Sequence, residues 1–182
     1  MIFEPFPQFL PSEYRVKFAT DQWEFRDAAT LRRQVFCYEQ GIFAGDDRDV
    51  IDDIAIPVVA ISSFAVVTQE VVGTVRIHET EPGIWWGSRL AVASDYRRIS
   101  ALGTSLIRLA VSSAHARGCR RFYAHVQSQN APLFHRLNWH TIEEIAVHGR
   151  PHHYMQADLR AYPPIADADA ESGFMALPKK AA

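Results

Sequence analysis

The sequence lacks most of the features that mark secreted, metal-binding or nucleic-acid-binding proteins. Its two cysteines, Cys37 and Cys119, are too few for a disulfide framework, and their spacing fits no zinc site. A formal net charge of −2 provides no basic field that would attract nucleic acid or an anionic membrane. No apolar run reaches the roughly 20 residues that span a bilayer, and the first residues lack the order of a signal peptide. We therefore expect a cytoplasmic protein without a metal, a nucleic-acid partner or a membrane segment.

The 182 residues and the 48% hydrophobic content fit one domain of ordinary size. Residues 1–13 are rich in proline and phenylalanine, which predicts an extended N-terminal arm. Residues 162–182 are rich in Ala, Asp, Pro and Lys without periodicity, which predicts a flexible C-terminal tail or linker. The folded domain is therefore expected over residues 14–161. A homodimer is one assembly that the sequence leaves open.

The hydrophobic pattern alternates between strand and helix periods along this domain. Strands are predicted from β-branched or alternating residues, and helices from apolar residues at steps of three and four. The predicted order is strand, helix, three strands, helix, strand, helix and two strands. This order indicates an α+β, or mixed α/β, plan in which helices flank a mixed sheet.

The most informative segment, residues 90–104, runs from a predicted strand through a short loop into a predicted helix. Free backbone N–H groups and the helix dipole make such a helix start attractive to anions. Gly103 lets a phosphate approach the backbone closely, and Arg97 and Arg98 supply charge-assisted contacts. The segment therefore suits a pyrophosphate. The same spacing also fits an ordinary strand–loop–helix joint whose arginines face solvent.

Arg98-x-x-Ala101-x-Gly103 resembles the coenzyme A loop of the GNAT N-acetyltransferases, usually Gln or Arg-x-x-Gly-x-Gly or Ala. Residues 72–76 and 89–92 resemble the two strands that precede this loop, and residues 130–139 resemble the second cofactor motif of that family. Residues 31–40, 49–55 and 149–155 resemble the ElaA-like branch. Within this branch, the resemblance suggests the acetyltransferases found in bacterial nitrogen-starvation gene clusters as the closer relatives. That relationship would imply a role in nitrogen metabolism.

The resemblance implies a GNAT-like fold with a central, mostly antiparallel sheet of about seven strands and about four helices. It also implies acetyl-CoA as cosubstrate. The backbone of Leu90 and Val92 would bond the pantetheine arm, and the backbone of residues 98–104 would hold the pyrophosphate. The coenzyme A site implied by the resemblance comprises Leu90, Ala91, Val92, Arg97, Arg98, Ile99, Ser100, Ala101, Leu102, Gly103, Thr104, Asn130 and Phe134.

Two positions depart from the family pattern in ways that affect the chemistry. Phe134 stands where many members have a tyrosine that protonates the leaving thiolate, and phenylalanine has no proton to give. Trp86 stands where some members place a glutamate base. We therefore expect another group to serve in each role, or a thiolate that leaves with help from water and the helix dipole.

An alkylammonium substrate must lose a proton before it attacks a thioester, so a base is expected nearby. His152 and Glu39 are the first candidates because both match the ElaA-like pattern, and His78 is the third. Asp52 and His135 are weaker candidates. Each of the first three also has a structural interpretation: a turn histidine for His152, a surface acid or ion pair for Glu39, and a buried structural histidine for His78.

The acceptor site is predicted from the acidic loop and two nearby aromatic residues. Tyr38, Asp52 and Trp86 are assigned to substrate binding. The aspartates of residues 46–53 either attract a cationic substrate or form a solvated loop.

Three functions fit these observations. The first is an N-acetyltransferase that moves the acetyl group of acetyl-CoA directly to the primary amine of a small molecule. The second is a non-catalytic or regulatory acyl-CoA-binding module, since the tyrosine and the glutamate are missing. The third is an acyltransferase that uses a longer acyl-CoA, because the first helix and the acidic loop distantly resemble those of acyl-homoserine-lactone synthases.

Overall fold

The computed structural model of the protein describes residues 13–64 and 67–176. The predicted N-terminal arm lies outside the described residues except for Glu13. The strands are β1 (Glu13–Phe18), β2 (Ile56–Phe64), β3 (Val67–Glu81), β4 (Ile84–Val92), β5 (Arg121–Gln127), β6 (Trp139–Val147), β7 (Arg150–Ala157) and β8 (Phe174–Ala176). The helices are α1 (Gln22–Arg33), α2 (Ser100–Ala116), α3 (Ala131–Arg136) and α4 (Asp167–Ser172), and a π-helical turn (Gln34–Glu39) continues α1.

One eight-stranded sheet runs through the molecule in the order β6-β7-β5-β4-β3-β2-β1-β8. Strands β4 and β5 run parallel, and the other neighbouring pairs run antiparallel. For the residues that the structure describes, this confirms the predicted mixed, mostly antiparallel sheet flanked by about four helices. The sheet has one strand more than the seven expected, because β8 was not predicted.

Helix α2 connects β4 to β5 and covers one face of the sheet, called here the α2 face. Leu102, Leu106 and Leu109 are fully buried on this helix, and each contributes roughly 1.5–3 kcal/mol by leaving water. Gly73 on β3 allows the close approach, because a Cβ atom there would lie 2.9 Å from Leu106 Cδ1. The main core cluster therefore lies between α2 and the sheet.

Helix α1 packs on the opposite face, called here the α1 face. Asp21 and Glu24 form a capping box at its start, and Glu24 is buried against Lys17 at 2.7 Å. Ala28 and Leu31 pack with Val59 in a second, smaller core cluster. Helix α1 covers the sheet beside β2 and β3, and the cleft described below opens beyond it, at β4 and β5.

The flexible tail predicted for residues 162–182 is corrected for residues 162–176. Tyr162, Ala170 and Ala176 are buried, and β8 pairs with β1 through Tyr14 and Ala176. The prediction was wrong for these residues because it relied on composition and periodicity. Two of the alanine side chains of this segment are buried, although they form no periodic pattern. Residues 177–182 lie outside the described residues. In the described part of the chain, no helix has the length and apolarity needed to cross a membrane.

Candidate active site

A gap opens in the middle of the sheet where β4 and β5 diverge. The two strands pair from Ile84 and Arg121 up to Gly87 and Ala124. Beyond that point β4 continues beside β3 to Val92, while β5 follows β7. Because the parallel ladder ends after four residue pairs, the carboxyl-terminal halves of the two strands enclose a cleft.

A cavity of about 840 Å³ occupies this cleft and reaches both faces of the sheet. Its lining on the α1 face includes polar side chains such as Arg76, His78 and His152. Its lining on the α2 face includes apolar side chains such as Ile107 and Phe122. The volume is within the range of ligand pockets, and the change from polar to apolar lining distinguishes its two ends.

A bulge interrupts β4 beside the cavity. Thr74 pairs with Ala91 and Arg76 pairs with Ser88, so β4 contains one more residue than β3 in this interval. Arg89 lies in that interval with φ of 55°, a left-handed conformation that costs a non-glycine residue roughly 1–2 kcal/mol. The surrounding contacts must therefore hold the bulge, which redirects the backbone that follows it.

A cluster of buried and partly buried charges supplies those contacts and is called here the charged cluster: Arg32, Arg76, Arg89, Asp47, Asp49 and Asp52. The Nε atom of Arg89 lies 3.0 Å from Asp47 Oδ2, and its Nη2 atom lies 3.2 Å from Asp49 Oδ2. Arg89 also lies over the ring of Phe43, with 4.4 Å between the guanidinium carbon and the ring centroid. Three positive and three negative charges balance, so the cluster brings no net charge to the cavity.

The charged cluster lowers the pKa values of two of its carboxyl groups. Hydrogen bonds from Arg76, at 2.7 and 2.8 Å, lower the pKa of Asp49. Burial by itself would raise the pKa of Asp52, but hydrogen bonds from Arg32, from the Asp49 backbone and from Arg76 lower it far below its ordinary value. Asp52 is therefore an ionised structural partner of the arginines, and it is not among the cavity-lining residues.

His152 lies on β7 with 8% of its surface exposed and lines the cavity. Its Nδ1 atom is 2.9 Å from the carbonyl oxygen of Arg150. A carbonyl can only accept a hydrogen bond, so Nδ1 carries the proton in the neutral ring and Nε2 keeps its lone pair. This arrangement leaves one ring nitrogen able to accept a proton. Burial and the nearby His152 lower the pKa of His125, which also lines the cavity.

His78 lies on β3, is 7% exposed and lines the same cavity. Its Nδ1 atom is buried without a hydrogen-bond partner among the described residues. Burial and the positive charge of Arg76 lower the pKa of His78, which favours the neutral ring. An unpartnered buried nitrogen is costly, so His78 is a second group in this cavity that a bound molecule could satisfy.

Trp86 forms an aromatic wall with two tyrosines on the α1 face. Its ring is parallel to that of Tyr154 within 6°, with centroids 5.6 Å apart, and lies 5.4 Å from that of Tyr123. Strand register explains the contact, because Trp86 is paired with Tyr123 across the β4–β5 ladder. The wall borders the polar end of the cavity at Trp86.

The start of α2 lies after β4, at the end of residues 90–104. Ile99 precedes the helix, and no side chain caps the first N–H groups with a hydrogen bond. Gly103 faces open space, since an added Cβ atom would meet nothing within 4 Å. Arg98 is exposed and has no polar partner among the described residues, whereas Arg97 bonds the Val92 carbonyl at 3.0 Å and also contacts Glu39. Uncapped amides and a free guanidinium together suit a phosphate group.

The structure brings six of the predicted site residues to the cavity: His78, His152, Trp86, Leu90, Asn130 and Phe134. Glu39 lies outside its lining and pairs with Arg97, and Tyr38 is 70% exposed away from it. Ala91 and Leu102 are buried, so they can offer a ligand their backbone but not their side chains.

Sequence reasoning missed several residues around the cavity. Tyr123 and His125 had a detectable signal, because alternation along β5 places them on the same face as Trp86. The role of Arg89 had no detectable signal in the sequence, because a positive φ in an arginine changes neither composition nor periodicity. Among the described residues, no group of three or more His, Cys, Asp and Glu side chains is arranged to hold a metal ion.

The family described as "Acetyltransferase (GNAT) family" matches residues 19–139 of the chain. No curated protein matches it in sequence. Among solved structures, a proposed N-acetyltransferase from Lactobacillus plantarum superposes with a TM-score of 0.69 at 20% identity, covering 79% of this chain and 97% of that one. ElaA of Escherichia coli superposes with a TM-score of 0.65 at 18% identity, covering 80% and 98%. BjaI, a CoA-dependent acyl-homoserine lactone synthase solved with SAM and isopentyl-CoA, gives 0.64 at 17% identity, covering 81% and 84%.

Proposed function

The chain belongs to the acetyltransferase (GNAT) family, and on this premise we propose that it transfers an acyl group from acyl-coenzyme A to the primary amine of a small molecule. The amine attacks the thioester directly while both substrates are bound. The observation that carries the proposal is the cavity between β4 and β5, which is lined by a buried imidazole and by Leu90, near the end of the strand that leads to the uncapped start of α2.

Coenzyme A lies in this proposal along the cleft, with its pyrophosphate at the start of α2. The amides of residues 98–104 and the free guanidinium of Arg98 hold the phosphates. The pantetheine arm follows the end of β4 past Leu90 and Val92, and Asn130 and Phe134 border it from the opposite side. The bulge at Arg89 supports this path because it interrupts the pairing of β4 with β3 between Ser88 and Ala91, directly beside the gap.

His152 is the proposed general base. With Nδ1 bonded to the Arg150 carbonyl, the Nε2 atom accepts a proton from the attacking ammonium, directly or through one water. The new C–N bond forms as the amine lone pair adds to the thioester carbon. The backbone N–H of Val92 then stabilises the oxyanion of the tetrahedral intermediate. The C–S bond breaks as the carbonyl re-forms, and the nitrogen, which became positively charged on addition, gives its extra proton to solvent. Coenzyme A leaves as a thiolate that solvent protonates, since Phe134 has no proton to donate.

The acceptor enters the polar end of the cavity on the α1 face. His78, His125 and the ring of Trp86 border this end, so the acceptor meets hydrogen-bonding groups and an aromatic surface. Glu39 and Tyr38 remain proposed contributors, although they lie outside the lining. Asp52 affects the acceptor only indirectly, because it positions Arg32 and Arg76.

The proposal includes finer assignments of donor, relatives and cellular role. The family description names acetyl transfer, which supports acetyl-CoA as the donor, and isopentyl-CoA in the BjaI structure supports the broader class of acyl-CoA donors. The similarity to ElaA supports a place near that protein within the family. A role in nitrogen metabolism, a cytoplasmic location and a homodimer stay predictions from the sequence.

The test is release of the coenzyme A thiol from acetyl-CoA across a panel of primary amines, monitored with a thiol reagent. We expect release to depend on one class of amine and to yield the matching N-acyl product by mass spectrometry. Binding of acetyl-CoA in calorimetry with no release for any amine would favour the non-catalytic module instead. Absence of both binding and release would overturn the proposal.

A further inference from the structure

We propose that the acceptor is a monoamine with an apolar or aromatic substituent, and that it carries neither a carboxylate nor a second ammonium group. This inference rests on the function proposed above and specifies the acceptor of the same site. Two observations at the α1-face end of the cavity support it: half-buried apolar side chains in the lining, and charged groups that are all paired with one another.

Four apolar side chains on the α1 face line the cavity and are only half-buried, and they are called here the apolar rim: Ile42, Phe43, Ile51 and Val147. They come from the loop after the π-helical turn, from a 3₁₀ turn (Val50–Asp53) and from the end of β6. Because each side chain borders the cavity and keeps part of its surface exposed, a ligand can contact it without displacing the core.

Two members of the apolar rim pack in neither core cluster. Ile42 and Phe43 lie partly against the smaller cluster, whereas Ile51 and Val147 belong to neither cluster. Their exposed hydrocarbon therefore contributes little to the packing of the fold. Contiguous apolar surface of this kind, bordered by polar groups, is typical of a ligand site.

Contacts between distant segments hold the apolar rim in place. The ring of Phe43 meets that of His148 edge to face, with centroids 4.9 Å apart. Arg150 donates to the carbonyl oxygen of Gln40, and Gln127 donates to the side-chain oxygen of Gln40 at 2.9 Å. The loop after the π-helical turn is therefore tied to the β6–β7 hairpin and to β5, so the rim is formed before a ligand binds.

Strand register brings the apolar rim close to the proposed base. Ile145 on β6 pairs with His152 on β7, and Val147 pairs with Arg150. Side chains two residues apart on a strand point to the same face and lie about 7 Å apart. An acceptor with its amino group at His152 is therefore within reach of Val147 through its substituent.

The aspartates of the acidic loop are neutralised by arginines. Each of them forms an ion pair: Asp46, Asp47, Asp49, Asp52 and Asp53. The described lining contains one carboxylate, that of Asp49, which accepts hydrogen bonds from Arg76 at 2.7 and 2.8 Å and from Arg89 at 3.2 Å. Two guanidinium groups surround this carboxylate, so it gives little attraction to the second ammonium group of a polyamine or an amino sugar.

The histidines at this end provide hydrogen bonds without charge. Burial lowers the pKa of both His78 and His125, which favours their neutral rings. A carboxylate on the acceptor would therefore lose its hydration without meeting an imidazolium, and burial of an unpaired charge is unfavourable. An uncharged apolar substituent has no such cost.

The experiment compares pairs of amines that differ in one group, using calorimetry on the protein saturated with coenzyme A, which has no acyl group to transfer. We expect 2-phenylethylamine to bind at least roughly tenfold more tightly than phenylalanine, and hexylamine at least roughly tenfold more tightly than 1,6-diaminohexane, because the added charge finds no unpaired partner. From ethylamine to hexylamine, affinity should rise by up to about fourfold with each methylene. Thiol release from acetyl-CoA with the same amines measures transfer separately.

Each other outcome contradicts a defined part of the proposal. Tighter binding of phenylalanine would show that Arg48 leaves its surface pair with Asp53 to bind a carboxylate, and would overturn the inference. Tighter binding of 1,6-diaminohexane, or equal affinity for ethylamine and hexylamine, would also overturn it, and thiol release with the preferred amine would leave acyl transfer intact. Tight binding of hexylamine without thiol release would support the apolar site and contradict acyl transfer. Absence of binding for every amine would contradict both.

Two variants of the apolar rim test the location. Ile51→Ser should lower the ratio of hexylamine to ethylamine affinity roughly fivefold, and Val147→Thr roughly threefold, because each removes hydrocarbon from the lining. Val147→Thr keeps the shape of the side chain, so the test stays valid if Ile51→Ser does not fold. Val50→Ser is the matched control, since Val50 is 82% exposed in the same 3₁₀ turn and lies outside the lining. An unchanged ratio in a folded Ile51→Ser or Val147→Thr protein would overturn the assignment.

Discussion

At the scale of single residues, His152 and its neighbour His153 differ in the hydrogen-bond partners of their ring nitrogens. His152 is buried at the cavity with Nδ1 bonded to a carbonyl, whereas His153 bonds Thr141 at 2.9 Å on the other face of β7. We expect His152→Ala to reduce kcat roughly 10²–10⁴-fold, the usual contribution of a general base. The dissociation constant for acyl-CoA should change less than threefold.

His153→Ala is the matched control for this prediction, because it removes an imidazole from the same strand without touching the cavity lining. Steady-state kinetics and calorimetry on both variants separate turnover from binding. A His152→Ala enzyme with the turnover of the unmodified protein would exclude this residue as the base. His78 would then be the next group to substitute, because it lines the same cavity.

Two substitutions of Gly103 test the proposed phosphate site. Its position at the start of α2 faces open space, so Gly103→Glu should fold normally and should weaken coenzyme A binding at least roughly 100-fold, because a carboxylate would repel the pyrophosphate. Gly103→Ala adds a methyl group without charge and should gain up to about 1 kcal/mol of stability from helix propensity. Calorimetry with coenzyme A and thermal melting of both variants check the prediction. Equal affinity in Gly103→Glu and Gly103→Ala would place the pyrophosphate elsewhere.

Site residues could be predicted from the sequence where they belong to one continuous motif. They could not be predicted where the site forms from segments that are far apart in the sequence. The loop from Arg98 to Gly103 was recognisable because its glycine and arginine stand at fixed spacing. The charged cluster was not, because Arg89 and Asp47 lie 42 residues apart and pair only after the sheet forms. Asp52 was therefore interpreted as a substrate-binding residue, and the structure shows it held by Arg32 and Arg76.

At the scale of elements, the bulge in β4 depends on the side chain that occupies its strained position. Arg89→Gly accepts the positive φ but removes the guanidinium, whereas Arg89→Ala removes the guanidinium and keeps the backbone strain. We expect the glycine variant to be about 1 kcal/mol more stable than the alanine variant. We expect both to lose most turnover, because neither ties β4 to Asp47 and Asp49.

Urea unfolding and steady-state kinetics on the pair separate these effects. Arg33→Ala, which removes a surface ion pair with Asp46 on the same side of the molecule, is the control for charge removal. Full turnover in Arg89→Gly would show that backbone freedom at the bulge is sufficient and that the guanidinium has no positioning role.

Strong periodicity made most elements predictable, and short or non-periodic segments were missed. The alternation of β5 and the apolar face of α2 led directly to the observed strand and helix. Strand β8 has three residues, which is too short for a period to be seen, and its pairing with β1 links positions about 160 residues apart. The pairing of such a short strand depends on the sheet edge that the rest of the fold leaves exposed, which here is the edge of β1.

At the scale of the whole molecule, stability should fall in two steps as the pH is lowered. The folded-state pKa of His78 is below its ordinary value of 6.5, so its contribution is present above that pH and is lost as the pH falls through the folded value. The pKa values of Asp49 and Asp52 are below 3.8 in the folded protein, so their contribution is lost only as the pH falls below 3.8. Each pKa unit corresponds to about 1.4 kcal/mol.

Urea unfolding at a series of pH values checks this prediction. Asp52→Asn should be less stable at neutral pH and should lose less stability in the second step, whereas His78→Gln should flatten the first. Asp53→Asn, which alters an exposed carboxylate paired with Arg48, is the control. An acid transition of Asp52→Asn identical to that of the unmodified protein would contradict the assigned role of the charged cluster.

The pairing of β8 with β1 also has a consequence for biosynthesis. The ribosome releases β1 early, but the residues that cover its outer edge emerge only about 160 residues later. Until then β1 presents unpaired amides and carbonyls to other nascent chains, and such edges promote misassembly. Protection of that edge is therefore expected to wait for the docking of Phe174–Ala176.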